Sequence, residues 1–80
     1  MPSKKIDFEK QKKDKLLRAN IAHNMELYGV KRKQDIADRL RISRQSLHNK
    51  LSNPDTFTRG ELLKIFEFLH FTPEQRQECL

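Results

Sequence analysis

Eighty residues carry 17 Lys and Arg against 11 Asp and Glu, a net charge of +6, with one cysteine and two glycines. A chain this short forms one domain and buries only about 60–65% of its unfolded surface, which excludes a sizeable catalytic pocket. Cys79 stands alone, so no intramolecular disulfide is expected and a reducing cytoplasm is the natural compartment.

The charge is unevenly spread. Residues 1–18 carry seven Lys/Arg against three acids and residues 31–50 seven against two, whereas residues 51–80 carry three against five. Positive charge therefore gathers at the amino-terminal end and mid-chain, as a phosphate-binding face demands. A plain solvated face gives the same counts, so the charge takes its meaning from the elements that bear it. The best apolar run, Ile65 to Phe71, is short and broken by Glu67; neither a signal peptide nor a membrane span is expected.

In chain order, residues 1–6 read as a disordered basic tail. A first helix is expected from about Asp7 to Tyr28, with Leu17, Ile21, Met25 and Tyr28 as its buried stripe and Gly29 as its stop. Its early turns, Glu9 to Lys15, are almost wholly charged and should project beyond the core, held by pairs such as Glu9–Lys13. Residues 1–15 are thus a basic arm or helical extension, and residues 16–80 a single packed domain. Two short helices follow, near 33–40 and 44–51. Ile36, Ala37 and Leu40 form the apolar face of the first, and small Ala37 lets a second helix cross closely. Ile42 plugs the turn, Ser43 caps the second helix, and Leu47 and Leu51 hold that helix to the core. Arg44, Gln45, His48, Asn49 and Lys50 are left pointing outward.

Asn53-Pro54-Asp55 reads as a turn. Thr58 and Glu61 then form a capping box for a fourth helix, with Phe57 and Leu62 as a hydrophobic staple. Leu62, Leu63, Ile65, Phe66 and Leu69 should supply much of the core, while Phe68 falls off that stripe and toward the surface. Thr72-Pro73-Glu74-Gln75 opens a fifth helix: N-cap, proline at the first helical position, glutamine completing the box. No alternating segment is long enough to argue for a strand, so the class is all-α.

A helix apolar on one stripe and rich in Arg, Gln, Asn and Lys on the other has what reading a major groove requires. With the helix before it and the tight turn between, it reads as a helix-turn-helix. The segment from about Lys31 to Leu69 resembles the helix-turn-helix of the phage Cro and repressor superfamily. The link Lys50-Leu51-Ser52-Asn53-Pro54-Asp55-Thr56-Phe57-Thr58 is similar to the one that follows the recognition helix in small phage-type regulators. This resemblance covers roughly half the chain. It implies a compact five-helix lambda repressor-like domain that binds DNA sequence-specifically: a Cro-like transcriptional repressor of phage, prophage or mobile-element origin, working as a homodimer on a palindromic operator. Two departures stand out. Arg41 occupies the turn position where the family usually has glycine, which implies strain, and Arg32 and Lys33 replace the polar cap and glutamine that usually open the motif.

Within that reading Arg44, Gln45, His48 and Asn49 read bases; Arg suits guanine O6/N7, and Gln or Asn suits adenine N6/N7. Arg32, Lys33, Ser43, Ser46 and Lys50 serve the DNA backbone. Phe71, Cys79 and Leu80 have no evident intrachain role in so short a final helix and are assigned to the dimer interface. The alternative is a protein-binding module on the same fold, an antitoxin or antirepressor, whose outward face should carry apolar or acidic groups. His23 and His70 read as helix-surface residues, and with His48 and Cys79 they lack metal-ligand spacing, so no metal or cofactor is expected. Ser43 and Ser46 lie near His48 without a third orienting group, and no glycine-rich phosphate loop exists. An enzyme is not expected.

Overall fold

The computed structural model describes residues 8–79, with side chains from Gln11 onward. Five α-helices build it: α1 (Phe8–Tyr28), α2 (Lys33–Leu40), α3 (Arg44–Ser52), α4 (Arg59–Phe68) and α5 (Pro73–Cys79), with a one-turn 3-10 helix at Pro54–Thr56 between α3 and α4. Among the described residues there is no strand, and no helix is long and apolar enough to cross a membrane. The tail expected over residues 1–6 and Leu80 of the expected dimer surface lie outside the described residues.

Local chemistry sets the helix starts. Ser43 Oγ accepts the Ser46 backbone N–H at 3.0 Å to open α3. At α4, Thr58 Oγ1 accepts the Glu61 N–H at 3.1 Å while Glu61 Oε1 accepts the Thr58 N–H at 2.9 Å, the complete reciprocal box. Thr72 and Gln75 repeat it at α5, at 3.1 and 3.0 Å. Each box supplies acceptors to N–H groups that the first turn of a helix leaves without partners.

Three helices end alike. Gly29, Arg41 and His70 follow α1, α2 and α4 with φ of 74°, 60° and 54°, in the left-handed region. The next residue then donates back five positions: Val30 N–H to Met25 O at 2.8 Å, Ile42 to Ala37 at 3.0 Å and Phe71 to Phe66 at 2.9 Å. Val30 and Ile42 pack partly buried against the core and Phe71 is buried in it. Arg41 is thus left-handed as the resemblance implies, at a cost of about 1 kcal/mol for a residue with a Cβ. His70 is the surprise. Read from sequence as a plain surface residue, it terminates α4 and lies against Tyr28, ring centroids 4.7 Å apart.

The core gathers Leu17 and Ile21 from α1, Ile36, Ala37 and Leu40 from α2, Leu47 and Leu51 from α3, then Phe57, Ile65, Phe66, Leu69 and Phe71. Ala37 is fully buried, in keeping with the close passage its small side chain permits. Several expected core positions differ. Leu63 and Tyr28 are exposed, and Met25 is only partly buried. The inner stripe of α1 is Leu17, Ile21 and Asn24; Tyr28 continues the same side but is the last residue of the helix, where it lies against His70 and stays exposed. Phe68 is partly buried, with the Arg39 guanidinium 5.4 Å above its ring.

Asn24, 2% exposed, is the one buried polar side chain among the described residues. Its Nδ2 donates to Leu69 O at 2.8 Å and to Gln75 Oε1 at 3.0 Å, while its Oδ1 accepts from Gln75 Nε2 at 3.0 Å. Asn20 extends the seam, donating to Glu78 Oε1 at 3.2 Å and to Cys79 Sγ at 3.8 Å. These bonds join α1 to α5 and to the end of α4. A buried amide left without them would cost about 1–3 kcal/mol, so the network must form as a whole.

Candidate nucleic-acid interface

α3 is held by one side and shows the other. Leu47 and Leu51 are buried, whereas Arg44, Gln45, His48 and Asn49 are all exposed. The helical repeat sorts these four into two rows. Arg44 and His48 turn toward the start of α2. Gln45 and Asn49 form the neighbouring row, where Gln45 Nε2 donates to Asn49 Oδ1 at 3.2 Å. That bond leaves Gln45 Oε1 as an acceptor and Asn49 Nδ2 as a donor, a complementary pair held on one helix.

Beside the Arg44–His48 row lies an open groove lined by Lys31, Arg32, Lys33, Gln34, Leu47 and those two residues. Arg32 is the N-cap of α2, in extended backbone and without a side-chain cap bond. The first N–H groups of α2 therefore face outward among cations, and together they favour an anion. The acid nearby is accounted for: Asp35 pairs with Arg32 at 3.5 Å. Lys31 joins this cluster although only Arg32 and Lys33 were singled out from sequence. The unbroken run Lys31-Arg32-Lys33 was its signal.

The remaining expected site residues divide. Ser43 and Ser46 serve each other, since Ser43 Oγ accepts the Ser46 N–H and donates to Ser46 Oγ at 3.0 Å. Their first role is the start of α3. Lys50 departs from the expected outward orientation. Its Nζ donates to Thr56 O at 2.9 Å, pairs with Glu61 at 3.3 Å and stands 6.0 Å from the Phe57 ring. The carboxylate that completes the α4 capping box draws this lysine back, so it is not a free cation. Burial pushes the Glu61 carboxyl up, but the Thr58 N–H and Lys50 outweigh it and leave the group below its ordinary value.

The expected dimer surface needs a similar correction. Phe71 is buried and its ring packs on Phe66 at 4.9 Å, so it has the intrachain role the sequence seemed to deny it. Cys79 is half-buried against the core and receives a hydrogen bond from Asn20. Burial first, and then the nearby Glu78 charge, raise its thiol against the lowering effect of Asn20. α5 itself has no buried residue, and Glu74, Gln77 and Glu78 are exposed on it. Among the described residues no cluster of His, Cys, Asp and Glu is placed to hold a metal ion. No family model matches the chain, and neither a curated protein nor a solved structure matches it.

Proposed function

We propose that this protein binds double-stranded DNA in a sequence-dependent way, with α2 and α3 acting as a helix-turn-helix and α3 entering the major groove. The observation that carries the reading is the outward side of α3. Arg44, Gln45, His48 and Asn49 are exposed there, the opposite side is locked into the core, and Lys31-Arg32-Lys33 stand beside it. A helix about 10–12 Å across fits a groove about 12 Å wide. Gln45 Oε1 and Asn49 Nδ2 match the N6 donor and N7 acceptor of adenine, and Arg44 matches the O6 and N7 of guanine. The cations at the start of α2 meet the phosphates that flank the groove.

A small transcriptional regulator, Cro-like in kind, is the role this reading supports. One such helix covers only a few base pairs, so the protein is proposed to act as two copies on paired half-sites about one helical turn apart. Phe71 has no part in joining them. The protein-binding alternative, an antitoxin or antirepressor, draws less support because none of the four exposed residues Arg44, Gln45, His48 and Asn49 is apolar or acidic. Selection of bound duplexes from a random pool, followed by footprinting at two salt concentrations, tests the proposal. The expected result is a palindromic consensus protected in two blocks. Recovery of no consensus, or equal affinity for selected and random duplexes, would refute it.

A further inference from the structure

The carboxyl-terminal end of α3 is held by a residue from the opposite end of the chain's fold. Arg18 Nη1, on α1, donates to Leu51 O at 3.0 Å, spanning 33 residues. The last carbonyls of a helix lack intrahelical donors. Here Pro54 deepens that deficit, because it has no N–H to offer the Lys50 carbonyl four residues earlier. A guanidinium at this point supplies a donor and a positive charge at the negative end of the helix dipole. Lys50 fastens the following link to Glu61 from the other side.

We infer that Arg18 is a positioning residue for DNA recognition: it fixes the tilt of α3 from behind, so that Arg44, Gln45, His48 and Asn49 arrive at the bases in register. This rests on the DNA reading above. The contrast with Lys31, Arg32 and Lys33 is sharp. Those cations line an open groove, where Arg32 pairs with Asp35, whereas the Arg18 guanidinium ends on a backbone carbonyl. A cation placed on a phosphate releases counterions and sets the salt dependence of binding, whereas a guanidinium bonded to Leu51 O acts through the position of α3. Tethering instead affects the part of the affinity that depends on geometry, which is the preference for the cognate sequence over others.

The experiment compares Arg18→Ala, Arg18→Lys and Lys15→Ala with the wild type. Lys15→Ala removes the same unit charge from the exposed surface of α1, one turn away. Each is titrated against a selected duplex about two helical turns long and a random duplex of the same length, over a range of salt. Arg18→Ala is expected to lower affinity for the selected duplex about tenfold. Random-duplex affinity should change less than about twofold, and the salt slope should stay that of the wild type. Arg18→Lys recovers part of the preference, whereas Lys15→Ala leaves the ratio of the two affinities unchanged. In the free protein, amide exchange at Lys50, Leu51 and Ser52 is expected to quicken in Arg18→Ala at a temperature where α1 stays fully protected. Equal loss on both duplexes with a flatter salt slope overturns the inference, because Arg18 is then a phosphate contact. Unchanged exchange in α3 overturns it too. If the wild type shows no sequence preference, the DNA reading falls and the specificity part of this inference with it, while the exchange rates still decide the tether.

Discussion

Asn24 and Gln75 in the seam between α1 and α5, and Gln45 and Asn49 on the outer side of α3, are the same two amide types in opposite circumstances. In the seam the Asn24 and Gln75 amides bond each other across two helices, and each has a further partner, Leu69 O for Asn24 and the Thr72 N–H for Gln75. On α3 the two amides share a single bond within their own helix. Buried amides must be satisfied to permit folding at all. Exposed ones bonded only to each other contribute little to the fold and retain acceptor and donor capacity on the surface. The comparison separates residues that make the structure from residues the structure presents. It also explains why both sets look alike in the sequence.

That separation can be broken by mutation, and the largest effect should come from the seam. Asn24→Ala leaves Leu69 O and the Gln75 amide without their partner and opens a small cavity, at an expected cost of about 2–3 kcal/mol in denaturant unfolding. The preference among DNA sequences should not change while the protein is folded. If Asn24→Ala melts like the wild type, the seam is not what closes the fold. Gln45→Ala should do the reverse: about 1–3 kcal/mol lost on the selected duplex, preference relaxed at one or two positions, and Tm unmoved. A Gln45→Ala variant that loses equally on random DNA would show that α3 is not the reader.

The turn between α2 and α3 offers a smaller test. Arg41→Gly relieves the left-handed strain but adds unfolded-chain entropy of similar size, so its stability should stay near that of the wild type. Arg41→Val should be about 1 kcal/mol worse than the glycine variant, since a β-branched residue tolerates this region poorly. Comparable melting temperatures for the two would contradict the strain seen at φ 60°. The smallest effect is expected at Glu61. A carboxyl held below its ordinary value stabilises the fold above the ordinary glutamate range, and that stability is lost as pH falls through the lowered value. Glu61→Gln should cost under about 1 kcal/mol at neutral pH. It should also flatten the acid side of the stability profile, which thermal melts from neutral to acid pH would reveal.

What could be read from the sequence was local. The boxes at Thr58–Glu61 and Thr72–Gln75 lie within four residues, and their geometry follows from residue type. The bounds of α2 and the exposure of Arg44, Gln45, His48 and Asn49 were legible for the same reason, whereas the left-handed Arg41 was expected only from the family resemblance. The losses came from contacts and backbone turns that no helical period encodes. Asn24 finds its partners 45 and 51 residues away, and no periodicity rule points a polar residue at a carbonyl it has not met. A sign was present, since Asn24 sits seven residues after Leu17 and three after Ile21, on their side of α1. Lys50 was misread because its position on α3 faces outward, while Thr56 O and Glu61 draw the ammonium back. Phe71 was misplaced because its burial depends on a left-handed His70, which residue type does not announce.

Gln75 has a consequence for how the molecule comes apart. Its Oε1 accepts both the Thr72 N–H that starts α5 and the Asn24 amide that docks α5 on α1. A helix of seven residues with no buried side chain has no stability of its own. Forming α5 and attaching it are therefore coupled through Gln75, with Asn20 bonding Glu78 and Cys79 further along and Phe71 anchoring the chain just before the helix in the core. Such a segment opens and closes as a cooperative unit, at a free energy well below that of global unfolding. Its amides should exchange together, ahead of those in α1 to α4, so the protein sheds its last helix long before it loses the outward face of α3.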